Sequence, residues 1–546
     1  MAGDKLPPMR RSWKIVAFVL FSIAVAFGGL FGNRLLALTD ETRDLLRMYT
    51  DLVRISHDSY GNEVTYKDLV HSSIQGMLRT LDPHTSFLSP DAYSNMRERQ
   101  QESFHGLGIL VGMRNGQLTV MTPIEGTPAS RLGIRAGDVI DSIEGESTGG
   151  MGLNEAVRRL KGPKGTQVRI TIVRVGLDEP LELTVTRDEI PQNTVRYAYM
   201  ITPETGYISL SDFSRGTGQE MARALEELKT QGMESLILDL RGNGGGLLDQ
   251  AIAVADQFLP DGAKIVETRG RTGDSFQDYS ASRSTPELAQ PLVVLVGQGS
   301  ASAAEILAGA IQDHDMGLIV GMPTWGKGLV QTVYSLSYDS GLALTTAKYY
   351  TPSGRLIQRD YSSWFDYTTL ANGRDLDQVA DADLGPVFHT DLGREVYGGG
   401  GIAPDIHVEP AQLSADLQYL LSRNAFFDFS VEYVQTHSIE NRDWQPPQAI
   451  LGDFSEWFVG RDSSDREEIT EALADEATRG AVLRYLRAEI FNSTFGLEAR
   501  YEVLAQGDEQ IRRALEVLQE ASELLARRRD LRDEDKPEVT ASTVRG

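Results

Sequence analysis

Two short stretches carry residue types that could do nucleophilic chemistry. "VVLVGQGSASAAEILAGAIQDH", residues 293–314, runs from an apolar strand through glycines and serines into a helix. In that helix Ile306, Leu307, Ala310 and Ile311 keep helical spacing. A serine on such a strand-to-helix turn lies beside free backbone N–H groups and the positive end of the helix. Ser302 followed by Glu305 also fits S-x-x-E, so the same serine reads as an N-cap in a capping box. "SLILDLRGNGGGLLDQAIAVADQF" repeats the strand–glycine–helix plan, with Gly242, Gly244, Gly245 and Gly246 at the turn. Leu247 breaks a dinucleotide fingerprint. What is left is either a tight turn at positive φ or a loop whose N–H groups face a developing oxyanion.

A serine nucleophile needs a base. The chain holds only 8 histidines, and His314, the nearest downstream of Ser302, lies three turns along the same helix and so points away. A lysine can serve instead where desolvation lowers its pKa from ~10.4 towards neutrality. "VGMPTWGKGLVQ", residues 320–331, offers Lys327 between Trp325, Gly326 and Gly328, with no acidic residue from Ile319 to Gly326. On a strand, Gln331 shares a face with Lys327 and can accept a hydrogen bond from it. Gly321, Gly326 and Lys327 also match the G-x-x-x-x-G-K of a nucleotide-binding loop. Against that, Gly328 replaces the Ser/Thr that holds magnesium, and residues 329–336 read as a strand where phosphates need a helix N-terminus.

Such turns need an α/β frame. From about residue 191 to 360, buried strands "YISL", "SLILDL", "PLVVLVG" and "GLIVG" alternate with helices "TGQEMARALEELKTQG", "LLDQAIAVADQFL" and "SAAEILAGAIQDH". Residues 101–188 are short strands and glycines around one helix at Leu153–Leu160. Residues 40–100 read as amphipathic helices broken at "LDPHTSFLSP". Residues 361–400 form a Gly- and Asp-rich inserted loop, 411–530 are helical, and 531–546 are a charged, disordered tail.

The 546-residue chain is 41% hydrophobic, enough for several packed domains. Its net charge of −25 argues against nucleic acid as a partner. With no cysteine, disulfides, thiolate metal sites and cysteine nucleophiles are excluded. Residues 1–14 are basic, and Ile15–Gly32 carries no charge over about 18 residues, enough to span a bilayer. That pattern predicts a single-pass anchor at 15–32 with the remaining chain exported. The alternative is a cleaved signal, with Ala24-Val25-Ala26 as its cleavage site.

"GSASAAEILAGAIQDH", followed by the lysine of "TWGKGLVQ", closely resembles the Ser–Lys core of the carboxyl-terminal processing peptidases, or tail-specific proteases. "LDPHTSFL", "DLRGNGGG", "AKYYTPSGRLIQ" and "GGGIAPDI" resemble the same family's other signatures, in the family's order over residues 40–410. The resemblance implies that Ser302 is the nucleophile, Lys327 the general base and Gln331 the residue that positions the lysine. It further implies that Ala303 and either Gly244 or Gly245 supply the oxyanion N–H groups. Gln298, Ala304 and Trp325 depart from the family's usual Asn, Ser and Phe, and none of them belongs to the dyad. Residues 101–188 resemble the family's PDZ domain. There the loop Gly106, Leu107, Gly108 and Ile109 would hold a peptide's terminal carboxylate, and the next strand would take the peptide by β-addition. "MGLNEAVRRLKGPKG" would form the opposite wall of the groove.

The expectation is a multidomain α/β protein with a ClpP/crotonase-like peptidase core at 191–410. It carries an inserted PDZ domain, flanking helical regions and one N-terminal transmembrane helix. Its activity would be that of a serine endopeptidase in the bacterial inner membrane, with the catalytic part in the periplasm or other extracytoplasmic space. Substrates would be the C-terminal regions of unfolded or partly folded envelope proteins. The resemblance calls for no metal, nucleotide or other cofactor. A homo-oligomer is expected, with 411–530 serving assembly or docking of an adaptor protein. The rival is a catalytically silent PDZ scaffold of the cell envelope in which Ser302 only caps a helix. Lys327 and Gln331 argue against it, because a scaffold has no use for a buried amine.

Overall fold

The computed structural model describes residues 40–282, 290–361, 385–461 and 466–534. The basic segment 1–14, the expected membrane segment 15–32, residues 362–384 of the insertion and residues 535–546 of the tail lie outside them. No helix among the described residues is long and apolar enough to cross a membrane. The chain divides into two compact units after Phe87.

The first unit holds helices α1 (Asp40–Ser59) and α2 (Tyr66–Leu78), the second capped by Thr65, which accepts the Asp68 N–H at 3.1 Å. Asp82 then accepts the N–H groups of His84 and Thr85 at 2.8 and 2.7 Å, which makes the expected break a side-chain-closed turn.

The second unit opens with α3 (Pro90–Arg99), started by Ser89 and by a proline where no N–H is required. A β-domain follows, made of β1 (Ser103–Gly106), β2 (Ile109–Arg114), β3 (Gln117–Pro123), β4 (Val139–Ile143), α4 (Leu153–Leu160), β5 (Gln167–Val173), β6 (Leu181–Thr186) and β7 (Asp188–Pro191). Val168, Ile170 and Ile172 alternate with more exposed neighbours and pack on Ala156 and Leu160 of α4, the period-2 pattern of a sheet covered on one face. The sheet runs β2-β3-β4-β5-β6, so β2 is an edge strand with α4 beside it. β1 pairs antiparallel with β7, so the chain enters and leaves this domain side by side, as an insertion must.

The α/β core is built on β8 (Val195–Met200), β9 (Thr205–Leu210), α5 (Thr217–Thr230), β10 (Ser235–Asp239), α6 (Leu248–Ala255), β11 (Lys264–Gly270), β12 (Gln277–Ser280), β13 (Leu292–Val296), α7 (Ala303–Asp313), β14 (Leu318–Gly321), β15 (Leu329–Ser335), β16 (Gly341–Tyr350) and β17 (Ile406–His407). The central sheet runs β8-β9-β10-β13-β14-β17, parallel except for β8. Leu236 and Leu238 face α5, α6 and α7, whereas Ile237 faces the opposite side, so the strand is apolar throughout because both faces are covered. β11, β12, β15 and β16 form a second, antiparallel layer. Within the expected insertion, Val387–His389 and Glu395–Tyr397 pair as a hairpin.

The C-terminal region holds α8 (Ala415–Ser422), α9 (Ala425–Thr436), α10 (Ile450–Arg461), α11 (Arg466–Ala474), α12 (Glu476–Phe495), α13 (Leu497–Ala505), α14 (Glu509–Glu516) and α15 (Leu518–Glu534). Phe426, Phe429, Phe454 and Phe491 centre a separate core within α8–α13. The last two helices do something else. Ile511, Ala514, Val517, Ala521 and Leu524 bury the second face of the central sheet, against Ile237, Val293, Leu295 and Val320. α15 continues to Glu534, so the first residues of the expected disordered tail are helical.

Candidate active site

Ser302 stands where β13 turns into α7, at φ 57° and ψ −114°. That is left-handed φ for a non-glycine residue, the strained turn that presents a side chain at the end of a sheet. An ordinary N-cap is extended, so capping alone does not account for this backbone. The expected capping box is nonetheless present, with Glu305 Oε2 accepting the Ser302 N–H at 2.7 Å. Ser300, two residues earlier, is fully buried. Its hydroxyl donates to Leu240 O at 2.8 Å and accepts the Gly297 N–H at 3.0 Å, which binds the turn to the end of β10.

Lys327 lies on the loop between β14 and β15. Its Nζ donates to Gln331 Oε1 at 2.8 Å, the contact expected from the spacing. The route differs from a simple strand face, because Lys327 precedes β15 and the register shifts between Val330 and Gln331. β15 is a strand, so no helix N-terminus follows "GKG" and the phosphate-loop geometry is absent.

Two buried groups join the serine turn to the lysine loop. Glu305, on the first turn of α7 and fully buried, accepts four hydrogen bonds. They come from the N–H of Ser302 (2.7 Å), of Lys327 (2.9 Å) and of Gly326 (2.7 Å), and from Thr324 Oγ1 (2.5 Å). Burial pushes its carboxyl above the ordinary range, against these donors, which favour the charged form. On the other side, the buried Tyr349 hydroxyl on β16 lies 3.0 Å from Ser302 O and 2.6 Å from Lys327 O, its one proton shared between them. Burial raises that phenol well above 10, so it stays a donor. The backbones of Ser302 and Lys327 are thus tied to the same carboxylate and the same hydroxyl. Sequence reasoning gave Glu305 only a capping role and passed over Tyr349. A carboxylate among the apolar residues at the start of this helix was the available signal for the first.

The glycine turn abuts the serine. Gly245 has φ +101°, and a Cβ there would stand 2.8 Å from Ser302 Cβ and 2.9 Å from Ala303 N. Only glycine permits this approach. Its own N–H is already donated to Asn243 Oδ1 at 2.9 Å. Among the described residues, the N–H groups of Gly244 and Ala303 have no acceptor. The fully buried Asn243 also donates to Leu210 O at 2.9 Å, and its carbonyl accepts the Ala301 N–H at 2.9 Å, which locks the two turns together. His314 caps the far end of α7 and binds Asp391 and the Lys264 carbonyl, away from Ser302. No metal-binding cluster of His, Asp and Glu occurs among the described residues.

In the β-domain, the carbonyls of Leu107 and Gly108 turn inward to the N–H groups of Ala129 and Ile124, at 3.0 and 2.9 Å. Their own N–H groups have no acceptor among the described residues. Gly108 has φ +79°, and a Cβ there would lie 2.2 Å from Thr127, so the loop requires glycine.

A family model described as peptidase family S41 matches residues 204–361, and one described as a PDZ domain matches residues 119–174. The carboxy-terminal-processing protease of Bartonella bacilliformis is 42% identical over 294 residues, covering 53% of this chain and 67% of that protein. The carboxyl-terminal-processing protease of Synechocystis sp. is 36% identical over 374 residues, covering 64% and 86%. Among solved structures, the photosystem II D1 C-terminal processing protease is 30% identical, covers 65% of this chain and 86% of its own, and has a TM-score of 0.35.

Proposed function

This chain belongs to peptidase family S41, as a serine-type carboxyl-terminal processing protease with a PDZ domain, and we propose that Ser302 is its nucleophile. Lys327, as the free amine, takes the proton from Ser302 Oγ as the oxygen attacks the scissile carbonyl carbon. Gln331 holds Lys327 Nζ through the hydrogen bond described above. The tetrahedral oxyanion is received by the N–H groups of Ala303 and Gly244, with Gly245 giving the close approach. Collapse breaks the C–N bond. The leaving amine takes the proton from Lys327, and Ser302 is left esterified to the acyl half. Water then attacks the ester carbonyl carbon and gives a proton to Lys327; the acyl C–Oγ bond breaks, Lys327 returns the proton to Ser302 Oγ, and the acyl half leaves as a carboxylic acid. The observation that carries this reading is the shared anchoring of Ser302 and Lys327 by Glu305 and Tyr349.

We further propose that the Gly106–Ile109 loop takes the C-terminal carboxylate of substrates, and that these are unfolded or partly folded envelope proteins. The charge pattern of residues 1–32 supports a single-pass inner-membrane anchor with the catalytic part in the periplasm. A homo-oligomer, an adaptor and a ClpP/crotonase-like core complete the proposal.

The test is cleavage of an unfolded protein by the full chain, followed by mass spectrometry. Ser302→Ala is expected to abolish cleavage, and so is Lys327→Arg, whose guanidinium never deprotonates. Cleavage by Ser302→Ala at a comparable rate sinks the assignment.

A further inference from the structure

Arg241 stands between β10 and the glycine turn, and its guanidinium reaches in two directions. Inside the core, Nε donates to both oxygens of Asp239 at 3.0 Å and Nη2 donates to Asp239 Oδ2 at 2.6 Å. The Tyr207 hydroxyl donates to the same Oδ2 at 2.7 Å. Nη1 leaves the core. It donates to Asp508 Oδ1 and Oδ2 at 3.0 and 2.8 Å and to Gln510 Oε1 at 2.7 Å, all in the C-terminal helical region. These acceptors are themselves fixed. Asp508 caps α14 through the N–H groups of Gln510 (2.9 Å) and Ile511 (3.1 Å), and Gln510 Nε2 donates to Val408 O at 2.6 Å.

The arginine also lies beside both turns. A Cβ on Gly297, where the serine turn begins, would lie 3.8 Å from Arg241 Cγ. Gly242, the next residue, backs onto Gly299 so tightly that a Cβ there would stand 2.9 Å from the Gly242 Cα. Arg241 thus stands between the C-terminal helices and the point where the glycine turn and the serine turn pack together.

We infer that Asp508 is a positioning residue for catalysis, which holds Arg241 and through it sets the glycine turn against the Ser302 turn. The C-terminal helical region is then part of the active-site frame. This rests on the oxyanion reading proposed above. When Asp508 is lost, the guanidinium keeps its hydrogen bonds to Asp239, so it is not left as an unpaired buried charge. Oxyanion donors act only when placed to within a fraction of an ångström. Loss of Asp508 should therefore appear in rate far more than in melting temperature.

The experiment compares the full chain with Asp508→Asn and Asp508→Ser, both of which keep a capping side chain and remove the charge. Cleavage of an unfolded protein and affinity for a peptidyl boronate, which forms a tetrahedral adduct on serine, are measured for each. Asp475→Asn serves as comparator, since Asp475 caps α12 in the same region without touching Arg241. At least one Asp508 variant that melts as Asp475→Asn does is expected to lose kcat about tenfold or more, with KM within twofold. Boronate affinity should fall by a similar factor, while substrate affinity in a Ser302→Ala background should not change. A kcat within twofold of the parent in every folded Asp508 variant overturns the inference, as does an equal loss in Asp475→Asn. Failure of the underlying reading shows differently, as cleavage surviving Ser302→Ala or boronate not attaching to Ser302.

Discussion

Glu305 is the residue on which the site's geometry turns. Its carboxylate accepts four donors from two separate loops, and an amide in its place presents N–H to at least some of them. Hydrogen bonds to a charged group are worth ~1.5–3 kcal/mol each, and a buried donor left unpaired is penalised again. Glu305→Gln is therefore expected to lower stability by roughly 3–5 kcal/mol and to cut kcat at least 100-fold in the fraction that still folds. Denaturant titration beside single-turnover cleavage checks both, and normal kcat in folded Glu305→Gln would show that the two loops hold their positions without it. Ser300 offers a contrast from the same turn. Ser300→Ala strands the Gly297 N–H, at a cost of ~1–3 kcal/mol, while Leu240 O keeps the Asn243 N–H at 3.1 Å, and it removes no group assigned to the reaction. It should keep cleavage within about tenfold of the parent, whereas Ser302→Ala should keep none. Reversal of that order would move the nucleophile to Ser300.

At the scale of elements, α7 is tied down at both ends, by Ser302 at its start and His314 at its finish. Both nitrogens of the His314 ring face acceptors, Asp391 Oδ2 at 2.9 Å and Lys264 O at 2.7 Å, so only the doubly protonated ring satisfies both. Burial alone would pull the imidazole down. The hydrogen bond to Asp391 and the one to Lys264 outweigh it and the nearby Arg528, and hold the pKa above its ordinary value. A raised pKa means the folded state binds the proton more tightly, so the stabilisation is complete below the unfolded value of about 6.5. It is lost as pH rises through the higher folded value. Melting temperature should decline over that alkaline side of 6.5, and His314→Gln should flatten that part of the profile. An unchanged slope in His314→Gln would assign it to other groups. This anchoring was invisible in the sequence, because Asp391 and Lys264 lie far from position 314 in the chain. What was legible were local signals. The four buried strands read as apolar runs, the three helices as 3.6-residue periods, and Lys327 with Gln331 as a close pair. Glu305 and Tyr349 were legible as residues but not as bridges, since their partners come from two different loops. The role of 509–534 was missed for a related reason: Ile511, Ala514, Val517 and Ala521 reveal an apolar face, but not that a parallel sheet is what it covers.

For the whole molecule, the question is how the PDZ domain and Ser302 divide the work on one substrate. The domain is seated on the C-terminal helices. The Arg114 guanidinium lies 4.1 Å over the Phe427 ring and 3.6 Å from Asp428, and Val431 fills the space a Cβ on Gly137 would need. The loop proposed to bind the carboxylate is a separate feature, where the N–H groups of Leu107 and Gly108 have no acceptor among the described residues, beside the edge strand β2. A carboxylate accepting there forms a charge-assisted bond worth ~1.5–3 kcal/mol, or roughly 10- to 100-fold in affinity. Amidating the C-terminus of a test peptide removes that charge and leaves every side chain in place. The expected result is a 10- to 100-fold weaker Kd, with kcat at saturating peptide changed far less, because the bond attacked by Ser302 lies in another domain. If kcat falls in step with affinity, occupancy of the PDZ loop must itself govern the dyad. If amidated and free-acid peptides bind alike, the Gly106–Ile109 loop is not a carboxylate site, whatever the peptidase does.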